Sequence, residues 1–149
     1  MINTEIVFAA SAARTESGQS SGDSILPQAF LYSQGTVVLD VTVDESTAND
    51  KLDVFIQRKL PGGIWDTIAR FTQHDGNAAA QRYVLDIYND GNVTPVARLT
   101  DDVVGTPVLA EATVRGVPFC SALRIAWVVT DDSDAASYTF EVRGQFTGR

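Results

Sequence analysis

The chain has one cysteine, Cys120, one histidine, His74, and one methionine among its 149 residues. A lone cysteine excludes an intrachain disulfide, which fits either assembly in a reducing cytoplasm or no need for a covalent staple at this size. One cysteine and one histidine cannot supply the usual ligands of a zinc centre. A catalytic triad would have to place His74 beside a nucleophile and an orienting carboxylate. Its neighbours Gln73 and Asp75 mark a turn, where a solvated histidine is expected. The apolar neighbours of Cys120, Pro118, Phe119, Ala122 and Leu123, make it an expected inert, buried thiol. No stretch approaches the roughly 20 apolar residues of a membrane-spanning helix. Residues 1–13 lack the basic start and sustained apolar run of a signal peptide, so synthesis in the cytosol is expected.

Basic charge is also scarce. Against 19 Asp and Glu stand 11 Lys and Arg, giving a net charge of −8 and a pI near 4.4. Such a surface repels phosphate, and the few cations gather into no basic patch, so neither nucleic acid nor membrane is an expected partner. The hydrophobic share of 44% and charged share of 20% are those of an ordinary globular chain. The length suits one domain that buries a sizeable core.

What is abundant is period-two alternation. In Thr36–Val43, Leu39, Val41 and Val43 share one parity against Asp40 and Thr42. In Lys51–Arg58, Leu52, Val54 and Ile56 alternate with Lys51, Asp53 and Gln57. A Pro61-Gly62-Gly63 turn then leads to Trp65–Phe71. Such stripes mark half-buried strands, because successive side chains leave a pleated backbone on opposite faces. Short polar turns between the runs read as a three-stranded antiparallel meander. Tyr83–Tyr88 alternates again. Near the end, Leu123, Ile125, Trp127 and Val129 share a parity, Asp131–Asp134 turns the chain, and Tyr138, Phe140, Val142, Gly144 and Phe146 share the next, which reads as a hairpin. Val93–Arg98, broken by Pro95, and Pro107–Val114 are weaker strand candidates around an acidic loop at Thr100–Thr106. No helical period extends over ten residues. The fold class is all-β, an antiparallel β-sandwich or jelly roll of about eight strands. Residues 2–10 offer one short strand around Ile6-Val7-Phe8, and residues 11–24, rich in Ser, Ala, Gly and Thr, read as an extended arm or long loop. The expected organisation is an N-terminal arm over 1–24 and a sandwich domain over 25–149.

Three acidic clusters were weighed as calcium sites: Asp44, Glu45 and Asp50; Asp101 and Asp102; and Asp131, Asp132 and Asp134. Calcium takes six to eight oxygens, but no EF-hand spacing is present, and solvated turn tips are the expected reading. Trp65, Trp127 and the tyrosines could form a carbohydrate platform, although aromatic residues on strands are more often core. Trp127 has core parity; Trp65, beside the Pro-Gly-Gly turn, is less constrained. No carboxylate pair is singled out for glycoside hydrolysis, and Gly62-Gly63 lacks the Lys-Ser/Thr of a phosphate loop. No catalytic residue, metal or cofactor is expected.

Several blocks carry a resemblance: Leu39-Asp40-Val41-Thr42-Val43, Leu52-Asp53-Val54-Phe55-Ile56-Gln57, Gly62-Gly63-x-Trp65-Asp66-x-Ile68-Ala69-x-Phe71-Thr72, Leu123-Arg124-Ile125-Ala126-Trp127 and Ser137-Tyr138-Thr139-Phe140-Glu141-Val142. With the lead-in Ala13-Arg14-Thr15-x-Ser17-Gly18, they resemble small virion proteins of tailed bacteriophages over about two-thirds of the chain; residues 78–117 depart from the pattern. The resemblance implies a structural virion component, most plausibly a capsid decoration (cement) protein on the outside of the major capsid protein shell. It further implies a dimer or trimer and synthesis in the host bacterial cytoplasm. The alternatives are a tail or head-fibre component, or a carbohydrate-binding module for the host surface. On the decoration reading, Ile6, Val7, Phe8 and Arg14 of the arm contact the partner. Val38, Phe55 and Val128, apolar residues on the otherwise polar faces of their strands, are the candidates for the interface between copies in the expected homo-oligomer.

Two outcomes are expected from the sequence. Deleting residues 1–24 leaves a folded domain that no longer attaches to capsids. Trp127→Ala, if the residue is core, costs roughly 3–5 kcal/mol in chemical denaturation, whereas a loss under about 1 kcal/mol rejects that parity assignment.

Overall fold

A computed structural model describes residues 1–90, 100–101, 109–132 and 136–148. Among the described residues eleven strands carry the fold: β1 (Ile2–Arg14), β2 (Gly18–Gln19), β3 (Leu26–Pro27), β4 (Tyr32–Asp44), β5 (Lys51–Lys59), β6 (Trp65–Arg70), β7 (His74–Asp75), β8 (Gln81–Tyr88), β9 (Thr113–Val114), β10 (Ala122–Thr130) and β11 (Tyr138–Gly148). Only short 3-10 turns accompany them, and among the described residues no helix is long and apolar enough to cross a membrane. Sheet A has the order β1-β11-β4-β8. Sheet B runs β2-β10-β5-β6-β9, with β3 on β10 and β7 on β5. Every strand pair is antiparallel. The expected all-β sandwich is the observed architecture.

The stripes read from the sequence face the space between the sheets. Val37, Leu39 and Val41 of β4 and Tyr138, Phe140, Val142 and Phe146 of β11 enter the core from sheet A. Leu52, Val54 and Ile56 of β5 with Leu123 and Ile125 of β10 enter from sheet B. Phe146 lies opposite Gly35 in the β4–β11 register. A Cβ at Gly35 would stand 2.3 Å from that ring, so only glycine leaves the slot open. There the ring meets Phe8, Tyr32 and Phe119 edge-on, with centroids 6.0, 5.9 and 6.4 Å away.

Three expectations about connectivity are corrected. The Thr36–Phe71 meander splits: β5 and β6 pair through the Pro61–Gly63 turn, but β4 belongs to the opposite sheet. The 123–146 hairpin splits as well, because β10 pairs with β5 while β11 pairs with β1 and β4. Two stripes that face one core across a sandwich have the same pattern as two stripes on adjacent strands. The third correction concerns residues 1–24. They are no arm: β1 pairs with β11 from Ile2 to Arg14, and β2 pairs with β10. Ile6, Phe8 and Ala9 are buried in the main core, because the alternation of Ile6 and Phe8 with Glu5 and Val7 suffices for an edge strand.

Smaller differences follow. Trp127 is only half-buried; it packs against the core with its Nε1–H donating to Glu16 O at 3.0 Å. Cys120 is half-buried rather than buried, at a left-handed φ of 61°. The strand candidate Val93–Arg98, most of the Thr100–Thr106 loop and residues 107–108 lie outside the described residues.

Removing residues 1–14 strips the β11 edge and takes Phe8 from the Phe146 cluster. The truncated chain is therefore expected to lose cooperative unfolding in urea, and Phe8→Ala in the full chain to cost about 3–5 kcal/mol. A truncated protein with an undiminished transition would restore the arm.

Candidate functional site

The two sheets differ in what covers their outer faces. On sheet B, residues of the chain itself close the face. Arg70 Nη2 donates to Asp53 Oδ1 at 2.8 Å and Nη1 to Leu109 O at 3.2 Å, while its guanidinium lies 5.4 Å from the Phe55 ring. Asp101, nearly fully buried, accepts from Leu109 N–H at 2.9 Å and from Arg115 Nη1 at 3.2 Å. Arg115 Nη1 also reaches Thr67 O at 2.7 Å. Arg58 joins Asp66 Oδ2 at 3.0 Å and Pro118 O at 2.8 Å. These buried and half-buried ionic links strap the segment around residues 109–118 across strands β5 and β6. Phe55 is consequently 2% exposed. It lies outside the main core cluster, opposite Ala126.

Sheet A has no such strap among the described residues. Its outward residues stand in rows across the strands. Val7 pairs with Arg143, Arg143 with Val38 and Val38 with Val84, so one row crosses all four strands. Val84 is 56% exposed, and Val7 and Val38 are half-buried. Arg143 is held between Glu141, at 2.5 Å, and Glu5, at 3.1 Å; hydrogen bonds with these two carboxylates raise its pKa further. The next row is Glu5, Gln145, Thr36 and Asp86, in which Thr36 Oγ1 donates to Asp86 Oδ1 at 2.7 Å. The face carries valines flanked by fixed polar groups, with open hollows beside them, one lined by Glu5, Thr36, Val38, Arg143 and Gln145 and another by Gln34, Thr36, Asp86 and Tyr88, and is the candidate site.

Of the residues singled out by sequence, the structure brings together Val7 and Val38. Ile6 and Phe8 point into the core, which removes them from any contact surface. Phe55 is closed off beneath Arg70, and Val128, opposite Asp53, is half-buried on sheet B. Arg14 is anchored internally: its Nη1 donates to Phe140 O at 2.7 Å, and its guanidinium stacks 4.3 Å from Phe140 and 5.0 Å from Trp127. Val84 was missed, although it satisfies the same criterion as Val38, a β-branched residue of polar parity between Arg82 and Asp86.

Groups with catalytic potential are committed to structure. His74, expected in solvent, is fully buried. Its Nε2 lies 3.0 Å from Asp44 Oδ2 and its Nδ1 2.8 Å from Tyr83 Oη, so both nitrogens are engaged. Burial, with Asp75, Asp44 and Glu111 nearby, raises the Tyr83 pKa, which keeps that phenol a hydrogen-bonding group. Gly18-Gln19-Ser20-Ser21-Gly22 has the spacing of a nucleophile elbow. Ser20 Oγ nevertheless lies 2.9 Å from Phe8 O and accepts from Ile125 N–H at 3.1 Å, a stitch between the sheets. Asp50 accepts from Thr47 N–H at 2.8 Å and Asp132 N–H at 2.8 Å, and Asp44 also meets Ser46. Among the described residues no group of three or more His, Cys, Asp or Glu is placed to hold a metal ion; Asp102 and Asp134 lie outside them. Trp65 is half-buried, with the Arg124 guanidinium 4.2 Å from its ring, so that face of the indole is covered.

No protein-family model, curated protein or solved structure matches the chain.

Burial pushes the Tyr138 phenol up to about 12, and Asp44, Asp50 and Asp75 add to the rise. An unfolded tyrosine ionises near 10. The folded state therefore holds this proton more tightly, so its contribution is full below about pH 10 and is lost as pH rises toward about 12. Thermal melts are expected to shift downward between about pH 10 and pH 12, and less so for Tyr138→Phe. An equal shift in both proteins would remove Tyr138 as the cause.

Proposed function

We propose that this chain is a structural virion protein of a tailed bacteriophage, a capsid decoration protein that binds the outside of the major capsid protein shell and stabilises it. The observation that carries the reading is the contrast between the faces: sheet B is closed by its own chain, while sheet A presents the Val7–Arg143–Val38–Val84 row without cover among the described residues. The sequence resemblance is the support for the family, and the uncovered face is the support for where contact is made.

The hollows on this face are open and lined largely by polar residues, whereas small-molecule sites are mostly apolar and bury most of the ligand. The face therefore suits adhesion to a repeating shell better than capture of a small molecule. Exposed valines contribute area to desolvate. Arg143 is shared by Glu5 and Glu141, so this cluster enters contact with a net negative charge that a basic group of the partner would meet. The net charge of −8 favours a partner surface that is basic where it meets this one. Contact through sheet A replaces the earlier idea of a clamping arm, since β1 supplies one side of the face instead of reaching away from it.

The test mixes the purified protein with undecorated capsids of a phage whose genome carries this chain. Co-sedimentation is expected, and Val38→Glu weakens it by roughly tenfold or more, because a carboxylate would be desolvated without a partner. Ile64→Glu, at an exposed position beside the β5–β6 turn, leaves attachment unchanged. Absence of the protein from the capsid fraction rejects the reading. Binding to isolated tails instead would move the chain to the tail, and binding unaffected by Val38→Glu would move the contact off sheet A.

A further inference from the structure

The two ends of sheet A are finished differently. At one end β1 carries register shifts between Val7 and Ala9 and between Ala9 and Ala12, irregularities that spoil an edge for further pairing. At the other end β8 pairs with β4 over eight residues, Gln81 to Tyr88, with no register shift. Its sequence, Gln-Arg-Tyr-Val-Leu-Asp-Ile-Tyr, contains no proline, lysine or glycine. Among the described residues no strand flanks its other side. Tyr83 and Leu85, although on the inner face, are only half-buried. A regular edge of this length, with no strand beside it among the described residues, is a template for strand addition.

We propose that β8 pairs with β8 of a second copy of this chain, antiparallel and about a two-fold axis at Val84. The charges on the strand commit the edge to this occupant. Outward residues must oppose outward residues when two sheets merge into one. With Val84 opposite Val84 of the second copy, Arg82 of each chain stands opposite Asp86 of the other, while Tyr83 meets Leu85 and Gln81 meets Ile87. Sliding by one allowed step to either side loses both Arg82–Asp86 pairs, and centring the axis on Arg82 or Asp86 sets like charges together. The strand is thus self-complementary in one register. The groups needed are accessible: the Arg82 side chain is 68% exposed, and its present link to Asp40, at 3.1 Å, is a surface pair that exchanges at little cost.

The pairing deepens the adhesive reading above, and rests on it only for its purpose. The Val7–Arg143–Val38–Val84 row would continue through the axis into the same row of the second copy, so that two four-stranded sheets become one continuous outer face. Both halves would then meet a shell together, and the second contact would profit from the first.

Sedimentation equilibrium of the free, full-length protein tests this without any capsid. A dimer is expected. Arg82→Glu and Asp86→Arg each weaken it by roughly tenfold or more, since like charges then face each other at two symmetric places. The double exchange, Arg82→Asp with Asp86→Arg, restores it to within a few-fold of the starting constant. Thermal melts confirm that each variant is folded. Independently, Val84→Cys in a Cys120→Ser background forms a disulfide-linked dimer on mild oxidation, because directly opposed residues bring their Cα atoms within disulfide range. Val38→Cys in the same background stays monomeric on a non-reducing gel. A monomer at every concentration, a trimer, single variants that leave the dimer intact, or failure of Val84→Cys to cross-link would each overturn the proposal. A monomer that still sediments with capsids would leave the capsid reading standing and remove only this one. A charge-dependent dimer that ignores capsids would do the reverse.

Discussion

The Phe146 ring, seated in a slot that Gly35 opens, ties the sandwich together. It is reached by Phe8 from the first strand, Tyr32 from the fourth and Phe119 from the segment leading to β10. The contacts therefore join residues from near both ends of the chain and from the middle. Gly144 deepens the slot, since a Cβ there would stand 2.6 Å from the Phe146 ring and 2.8 Å from Phe8. A bulky ring opposed by absent side chains fixes the register of β4 against β11, because a slip by one residue would drive Thr36 or Gln34 into the place of Gly35. Once that register holds, the outward rows of sheet A follow automatically.

The faces of the strands were legible in the sequence, and their partners were not. The stripe Leu39–Val41 and the stripe Leu52–Val54–Ile56 look alike whether they lie side by side or across a core. Among the places where the chain crosses between sheets, those after β4 and after β10 lie together. Glu45 N–H donates to Ser137 O at 2.9 Å, and Asp132 N–H to Asp50 at 2.8 Å. Asp50, which read as a solvated turn tip, is fully buried and holds one crossing to the other. His74 was misread for the same reason. A short polar turn in the sequence is a buried junction in space, where Asp44, Tyr83 and Tyr138 converge on the imidazole. Sequence patterning registers the polarity of a residue but not the presence of a distant partner that makes its burial tolerable.

The same limit shaped the reading of the surface. Val38, Val84, Phe55 and Val128 are all apolar residues at positions of polar parity. Their fates diverge because a segment more than 50 residues further along, around Leu109 to Pro118, is strapped over Phe55 and not over Val38. Nothing within β5 foretells that strap. What was legible, once the criterion was applied evenly, was the kinship of Val84 with Val38. The arm failed through composition: Ser and Ala-rich residues read as a loop, yet small side chains serve equally well where β1 shifts register against β11.

Adhesion as a working principle is consistent with how the polar groups are spent. Ser20, His74, Asp50, Asp66 and Asp101 are buried or nearly so, and each is engaged by a backbone or side-chain partner. Such groups raise the cost of alternative packings more than they raise stability, because a slipped strand would strand a charge in the interior. A protein assembled from many copies has more to lose from a deformable surface than from a marginal free energy, since each contact is repeated wherever the surface is used. Interior polar links on both sheets answer that demand: the ordering of the face is completed when the chain folds, so little side-chain freedom remains to be lost on contact. On the proposed reading the buried carboxylates Asp66 and Asp101 hold the strap that closes sheet B, while Ser20 and His74 tie strands of sheet A to the core, which leaves sheet A as the ordered face that adheres.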